Sequence, residues 1–277
     1  MDSSRTRTGL KLAPLIIAGL FILFQFVGSE RYTNPETGKT EHVGMSRGQE
    51  SALGLQAYEE VLSTSQVIDS GPQYEEVKKV AGKLAAQTGE GGKDFNWAVS
   101  LVNSEQVNAF CLPGGKIVVY TGILPVARDE AGLATVLGHE IAHATARHGA
   151  QRVFRSQLAQ TALMGAAVSM SNMDYQKRNT IMGLLGAGAQ YGVLLPFSRD
   201  QESEADEIGL LYMARAGYDP RESLEFWQRM SQIGGSQPPE YLSTHPSHGT
   251  RIERLKAYMP KAVAEYEKRD ATQADTR

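Results

Sequence analysis

The sequence predicts an α+β domain, mainly helical, with a small sheet beside a helix that carries two histidines four residues apart. Three observations predict it. Apolar residues recur at helical spacing through most of the chain from residue 49 onward. Two short runs have strand character instead. In Phe95–Val102, Phe95, Trp97, Val99 and Leu101 alternate with polar or small neighbours, and Lys116–Thr121 reads KIVVYT. Pro113-Gly114-Gly115 between them is a turn, which suggests a hairpin-like pair with Asn108-Ala109-Phe110 lying between.

The helices follow in order. Gln49–Leu62 presents Leu53, Leu55, Ala57, Tyr58 and Val61. Pro72 opens a second helix, with Val77, Val80, Ala81 and Leu84 on one face. Glu90–Lys93 is a glycine-rich turn. From Asp129 the pattern is helical through Gly149. The apolar, Ala/Gly-rich runs 161–170 and 181–196 are each short for a membrane span and are expected to bury against the core. Ser198 and Gln201 form a capping box that starts a helix running to Arg215, stopped by Gly217 and Asp219-Pro220. Arg221–Ile233 is a further helix. Residues 261–277 read as a charged, flexible tail.

The N-terminus stands apart. Arg5, Arg7 and Lys11 precede the apolar run Leu12–Val27, whose only polar side chain is Gln25. As a helix it spans about 24 Å, a little short of a ~30 Å hydrocarbon core. No small-residue cleavage site and no lipidated cysteine follow. Residues 1–28 are therefore expected to be an uncleaved membrane anchor, with a cleaved signal segment as the alternative. Basic charges ahead of the run place the remainder outside the cytoplasm. The expected location is the bacterial inner membrane with the folded domain in the periplasm, or the periplasm after cleavage. Residues 29–45 are polar and turn-rich and read as a linker to a domain at 46–260.

Composition excludes several classes. The formal charge is −3 and no basic stripe is present, so nucleic acid is not an expected partner. One cysteine, Cys111, rules out an internal disulfide and reads as a small buried thiol. The oligomeric state is not legible.

Chemistry concentrates in Gly138-His139-Glu140-Ile141-Ala142-His143. Histidines at i and i+4 lie one turn apart on one face, so both imidazoles reach a single metal ion. One Zn²⁺ per chain suits nitrogen donors with an open position for water. Glu140, directly after the first ligand, is placed as general base. A third ligand from a metzincin pattern would need glycine at 146 and histidine at 149, but the chain has Ala146 and Gly149. His148 comes one place early and is read as structural or as a partner standing behind a metal ligand. The third ligand is then an acid from Glu202-Ser203-Glu204-Ala205-Asp206. Glu202 and Asp206 share a face, so Glu202 is assigned to zinc and Asp206 to a hydrogen bond that orients a ligand histidine. Glu204, about 200° around from Glu202, is the rival.

GHEIAHATARH and FSRDQESEAD followed by Gly209, with Asn108-Ala109-Phe110 and Pro113-Gly114-Gly115 upstream, resemble the HtpX-like and CaaX-prenyl-protease-like zinc metallopeptidases. The match covers Ser46–Pro260. It implies a zincin-type metalloprotease domain of the gluzincin class, with the glutamate of the ExxxD motif as third ligand. The family includes bacterial envelope quality-control proteases and a stress-activated protease of the mitochondrial inner membrane. With one N-terminal span and no helical repeats, the chain looks most like the compact, single-anchor branch. The resemblance implies misfolded or damaged proteins as substrates, added in extended form beside residues 108–110. It also implies an active-site role for His245, in Ser-Thr-His-Pro-Ser-His, as a fourth zinc ligand holding the enzyme latent or as an oxyanion stabiliser. Arg251 is expected to pair with an acid and His248 to be solvated.

The reading is a zinc-dependent endopeptidase. Its rivals are a membrane-anchored chaperone or adaptor that keeps a structural or latent zinc, and a metal-dependent amidase acting on non-peptide amides.

Overall fold

The computed structural model describes residues 10–189, 197–233, 241, 245 and 250–274. Arg5, Arg7, residues 190–196 of the second apolar run and His248 lie outside them.

The chain begins with α1 (Leu12–Gly28), the two-stranded sheet of β1 (Glu30–Thr33) and β2 (Thr40–Val43), and α2 (Arg47–Ser63). Next come β3 (Val67–Ile68), α3 (Pro72–Ala85), the single turn α4 (Gly89–Gly92), β4 (Ala98–Val102), β5 (Ala109–Leu112) and β6 (Lys116–Tyr120). A 3-10 turn (Thr121–Ile123) leads into α5 (Leu124–Ala127), α6 (Glu130–Thr145), α7 (His148–Ser169) and α8 (Tyr175–Ala189). The chain continues through α9 (Arg199–Ala216), α10 (Glu222–Gln232) and α11 (Arg251–Ala274). The mainly helical α+β class is as the sequence predicts. The contacts divide into two compact units, residues 1–32, 40–45 and 150–196, and residues 33–39, 46–149 and 197–277.

In the first unit, α1 lies beside the second half of α7. The Lys11 backbone N–H donates to Ser169 O at 2.9 Å, Ser169 Oγ donates back to Lys11 O, and Thr161 Oγ1 donates to Gln25 Oε1 at 3.4 Å. No side chain of α1 is buried. Met164 and Val168 on α7 and Ile181, Leu184 and Leu185 on α8 are exposed as well, while Gly165 and Met170 are buried, so among the described residues the expected burial of these runs holds at only a few positions. Each run is apolar on every side, so one packed face still leaves apolar surface outside. Among the described residues no helix is long and apolar enough to cross a membrane. Where the sequence reads as a linker, β1 and β2 pair, and Tyr32, Val43 and Ala150 form a small core.

In the second unit the sheet order is β3-β4-β6-β5. β5 and β6 form the antiparallel hairpin through Pro113-Gly114-Gly115, with Phe110 opposite Val118, while β4 joins β6 in parallel, Ala98 opposite Lys116. The residues expected merely to lie between two strands are thus an edge strand. β6, paired on both sides, is buried from Lys116 to Val119. In α2 the buried face is Glu50, Gly54 and Tyr58, and Leu53 and Leu55 are exposed. That face forms because the Pro113 backbone packs so close to Gly54 that a Cβ has no room. Val77, Val80, Ala81 and Leu84 of α3 are buried as predicted.

α6 is the central element, capped by Asp129, whose side chain accepts from the Gly132 N–H, and buried at every residue from Gly132 to Thr145. It packs against β5, α3, α9 and α10. The predicted continuous helix breaks at Arg147, whose φ of 58° is left-handed. This conformation is unfavourable for a side chain with a Cβ, and Arg147 is held there by Nε contacts of 3.2 Å to both carboxylate oxygens of buried Glu50. α9 starts at the predicted Ser198–Gln201 capping box and ends on left-handed Gly217. α11 runs on through Pro260, where a flexible tail was expected. Ala262 is buried in the core and Lys261 Nζ donates to Glu207 at 3.1 Å, which offsets the backbone hydrogen bond that proline cannot make.

Candidate metal centre

α6 and α9 cross where Gly138 meets Gly209. A Cβ on Gly138 would stand 3.1 Å from Gly209 O, and one on Gly209 3.0 Å from the His139 N. Two glycines let the backbones approach this closely, and the crossing lays Glu202 against the histidine face of α6.

His139, His143, Glu202 and His245 each offer one ligand atom, all within 4.8 Å of one another, and all four side chains are buried. His139 Nε2 lies 3.1 Å from His143 Nε2, 3.3 Å from His245 Nδ1 and 3.4 Å from Glu202 Oε2. Glu202 Oε1 lies 3.3 Å from His143 Nε2 and 3.1 Å from His245 Nδ1. A tetrahedron of donors about 2.0–2.1 Å from zinc has edges of about 3.3 Å. The histidine spacings are near that edge, Glu202 reaches His139 with Oε2 and His143 and His245 with Oε1, and three imidazoles and a carboxylate gathered within 4.8 Å suit that ion. Glu202 Oε2 is buried with no hydrogen-bond partner, as suits an oxygen reserved for a cation.

Electrostatics agree. Burial disfavours charge on Glu202, but His139, His143 and His245 outweigh it and hold the carboxyl well below its usual range. Burial drives His143 well below the ordinary histidine value against the pull of Glu202, so its ring is neutral. For His139, burial and Arg251 oppose protonation, yet hydrogen bonds to Asp206 and Glu202 lift it to about 9.

The surrounding groups are placed as follows. His139 Nδ1 lies 2.9 Å from Asp206 Oδ1, which also accepts from Arg251 Nη2 at 2.6 Å. Arg251, expected to pair with an acid, does so, and its guanidinium lies 3.3 Å from the centre of the Trp227 ring. Glu204 is not among the four. Its Oε1 accepts from Thr37 Oγ1 at 2.6 Å and Asn34 Nδ2 at 2.9 Å. His148 stands beside His143, Nδ1 to Nδ1 at 2.9 Å, because the left-handed turn at Arg147 swings it back.

Glu140 is buried, and Tyr241 Oη donates to its Oε1 at 2.7 Å. Burial, reinforced by the Glu140 charge, keeps the phenol protonated. Tyr241 stacks on His245 with centroids 4.6 Å apart, and the His245 N–H donates to Tyr241 O at 2.9 Å. Tyr241 and Trp227 were not singled out from the sequence, although Tyr241 and His245 have the i, i+4 spacing that marked the other histidines. Half-buried Cys111 on β5 has its thiol pushed well up by burial and by the charge of Glu140, so the edge strand runs close to that carboxylate.

The sequence profile of peptidase family M48 matches residues 72–259. Mitochondrial metalloendopeptidase OMA1 of Schizosaccharomyces pombe is 34% identical over 226 residues, covering 80% of this chain and 64% of the relative. Human metalloendopeptidase OMA1, mitochondrial, is 34% identical over 257 residues, covering 88% of this chain and 48% of the relative. The beta-barrel assembly-enhancing protease of Escherichia coli K12 is 28% identical over 225 residues, 79% of this chain and 46% of the relative. The chain thus spans about half to two thirds of the length of these relatives. They are not the HtpX-type or prenyl-protease-type members of the motif comparison. The bacterial inner-membrane location inferred from the N-terminus is overturned, because the relatives of higher identity are mitochondrial enzymes. The matched span runs from the start of α3 into α11 and takes in all four candidate ligands, and by it this chain belongs to peptidase family M48.

Proposed function

We propose that this chain is a zinc-dependent metalloendopeptidase that cleaves unfolded or damaged proteins. The observation that carries the reading is Glu140, buried and directly following His139, one of four buried donors that gather within 4.8 Å of one another. Relatives named as metalloendopeptidases support it.

His139, His143 and Glu202 hold the zinc, and Asp206 fixes the His139 ring by accepting from its Nδ1. Zinc, when bound, polarises the scissile carbonyl and makes water a nucleophile near neutral pH. Glu140 removes the proton from the attacking water and returns it to the leaving nitrogen. Among the described residues the outer edge of β5 pairs with no strand, and it would offer backbone donors and acceptors to an extended peptide, which favours polypeptides over small amides. His245 stands beside Glu202 among the donors that would hold the metal while Tyr241 donates to Glu140, so the pair would form a latch that productive substrate displaces. The apolar α1, none of whose side chains is buried, supports association with a membrane through residues 1–28, with the peptidase domain beginning at 46. Pairing through the backbone of an edge strand asks little of a substrate's side chains, which fits removal of misfolded proteins.

A second reading, a chaperone or adaptor with a structural zinc, draws on the same His245, because structural sites are closed by four protein ligands. A structural site has no use for a buried carboxylate at Glu140.

The test is mass spectrometry of reduced, unfolded casein incubated with the full chain. Internal cuts that a chelator abolishes and zinc restores are expected. Removal of terminal residues only, or cleavage indifferent to chelator, contradicts the proposal.

A further inference from the structure

His139 and His143 are oriented by different means. His139 meets a carboxylate directly, Asp206. His143 meets another imidazole. His148 is fully buried, its Nδ1 2.9 Å from His143 Nδ1 and its Nε2 3.7 Å from Glu204 Oε2. Glu204 is itself fixed at its other oxygen by Thr37 and Asn34, and Lys39 Nζ lies 3.4 Å from Oε2. The left-handed turn at Arg147, clamped by Glu50, brings His148 to this place.

We propose that His148 and Glu204 are positioning residues that select the tautomer in which His143 binds metal. Two Nδ1 atoms at 2.9 Å require one proton between them, since two lone pairs or two N–H groups would repel. If His143 donates, its Nε2 lone pair is free for the ion, and His148 carries its proton on Nε2, facing Glu204. If His148 donates instead, the proton of His143 moves to Nε2, where it blocks the ligand, and the His148 Nε2 lone pair faces a carboxylate. The charge of Glu204 disfavours that arrangement. The line Thr37–Glu204–His148–His143 therefore ties residues 33–39 to the metal centre, and it explains why Glu204 is buried near the ion without binding it. The inference rests on the reading of His143 as a zinc ligand.

The test uses the full chain, wild type beside His148→Leu, His148→Asn and Glu204→Gln. Zinc affinity is measured by chelator competition, and the ring tautomer of His143 by ¹⁵N-histidine NMR without metal. Asparagine keeps an acceptor where His148 Nδ1 stands, and leucine does not. Expected are a ~10–100-fold loss of zinc affinity in His148→Leu, recovery to within a few-fold in His148→Asn, and an Nδ1–H tautomer in wild type that becomes mixed in Glu204→Gln. Wild-type affinity in His148→Leu, or no advantage of asparagine over leucine, overturns the proposal. If His148→Leu does not fold, Glu204→Gln decides: an unchanged tautomer with unchanged affinity overturns the proposal, and a mixed tautomer with weaker binding supports it. A wild-type chain that binds no zinc sinks the metal reading, and the metal-free tautomer then decides the relay by itself.

Discussion

Tyr241 donates a 2.7 Å hydrogen bond to Glu140 Oε1 from four residues before His245, whose Nδ1 stands 3.1 Å from Glu202 Oε1. One short segment thus contacts both the proposed base, Glu140, and the proposed ligand Glu202. His245→Ala is expected to raise the initial rate of casein cleavage about tenfold, the effect of losing ~1.4 kcal/mol of closed-state preference. Tyr241→Phe should raise it less. A fall in rate with zinc retained in His245→Ala would instead assign His245 to oxyanion stabilisation.

Zinc must displace the proton of His139. With that ring at about 9 in the metal-free fold, calorimetry at pH 7.5 in buffers of different ionisation enthalpy should show about one proton released per zinc. The sign follows from the raised value. The metal-free fold is stabilised by this proton fully below pH 6.5 and loses that contribution as pH rises through about 9, while zinc binding strengthens over the same window. Zinc affinity that does not vary with pH between 6.5 and 9 would contradict the assignment.

Asp206 serves two donors, His139 Nδ1 and Arg251 Nη2. Asp206→Asn removes the charge that Arg251 needs and loosens the hold on the ring. Zinc affinity should drop ~10–100-fold in chelator competition. An unchanged affinity would leave Asp206 a purely structural partner of Arg251.

At the crossing of α6 and α9 a Cβ on either glycine would crowd the facing backbone at 3.0–3.1 Å. Gly209→Val is expected to destabilise the fold by about 1–3 kcal/mol in urea titrations and to lower zinc occupancy by moving Glu202 from the histidines. Full zinc occupancy and wild-type stability would show that the close approach does not set the site.

The metal site was legible because its residues declare themselves locally. The i, i+4 histidines, the acid face of Glu202 and Asp206 and the Ser198–Gln201 capping box all follow from one helix at a time. What was not legible depends on distant partners. Nothing in Ala146-Arg147-His148 marks a break, because Arg147 is held in its left-handed turn by Glu50, nearly a hundred residues earlier. The parallel pairing of β4 with β6 joins strands that β5 separates in the chain, β4 packs on α3 and β5 on α6, and alternation within one strand does not say which partner it takes. Pro260 reads as a stop, and only the burial of Ala262 beyond it reveals the longer helix. The apolar runs of α7 and α8 show neither period clearly, so their composition did not say which surface they would meet.

The most direct test of the central claim is casein cleavage by the full chain carrying one zinc, wild type beside Glu140→Gln. The expected result is cleavage by wild type and at least ~100-fold less by the variant, with one zinc bound in both. Equal cleavage by the variant, or cleavage by a chain that binds no zinc, would contradict the account.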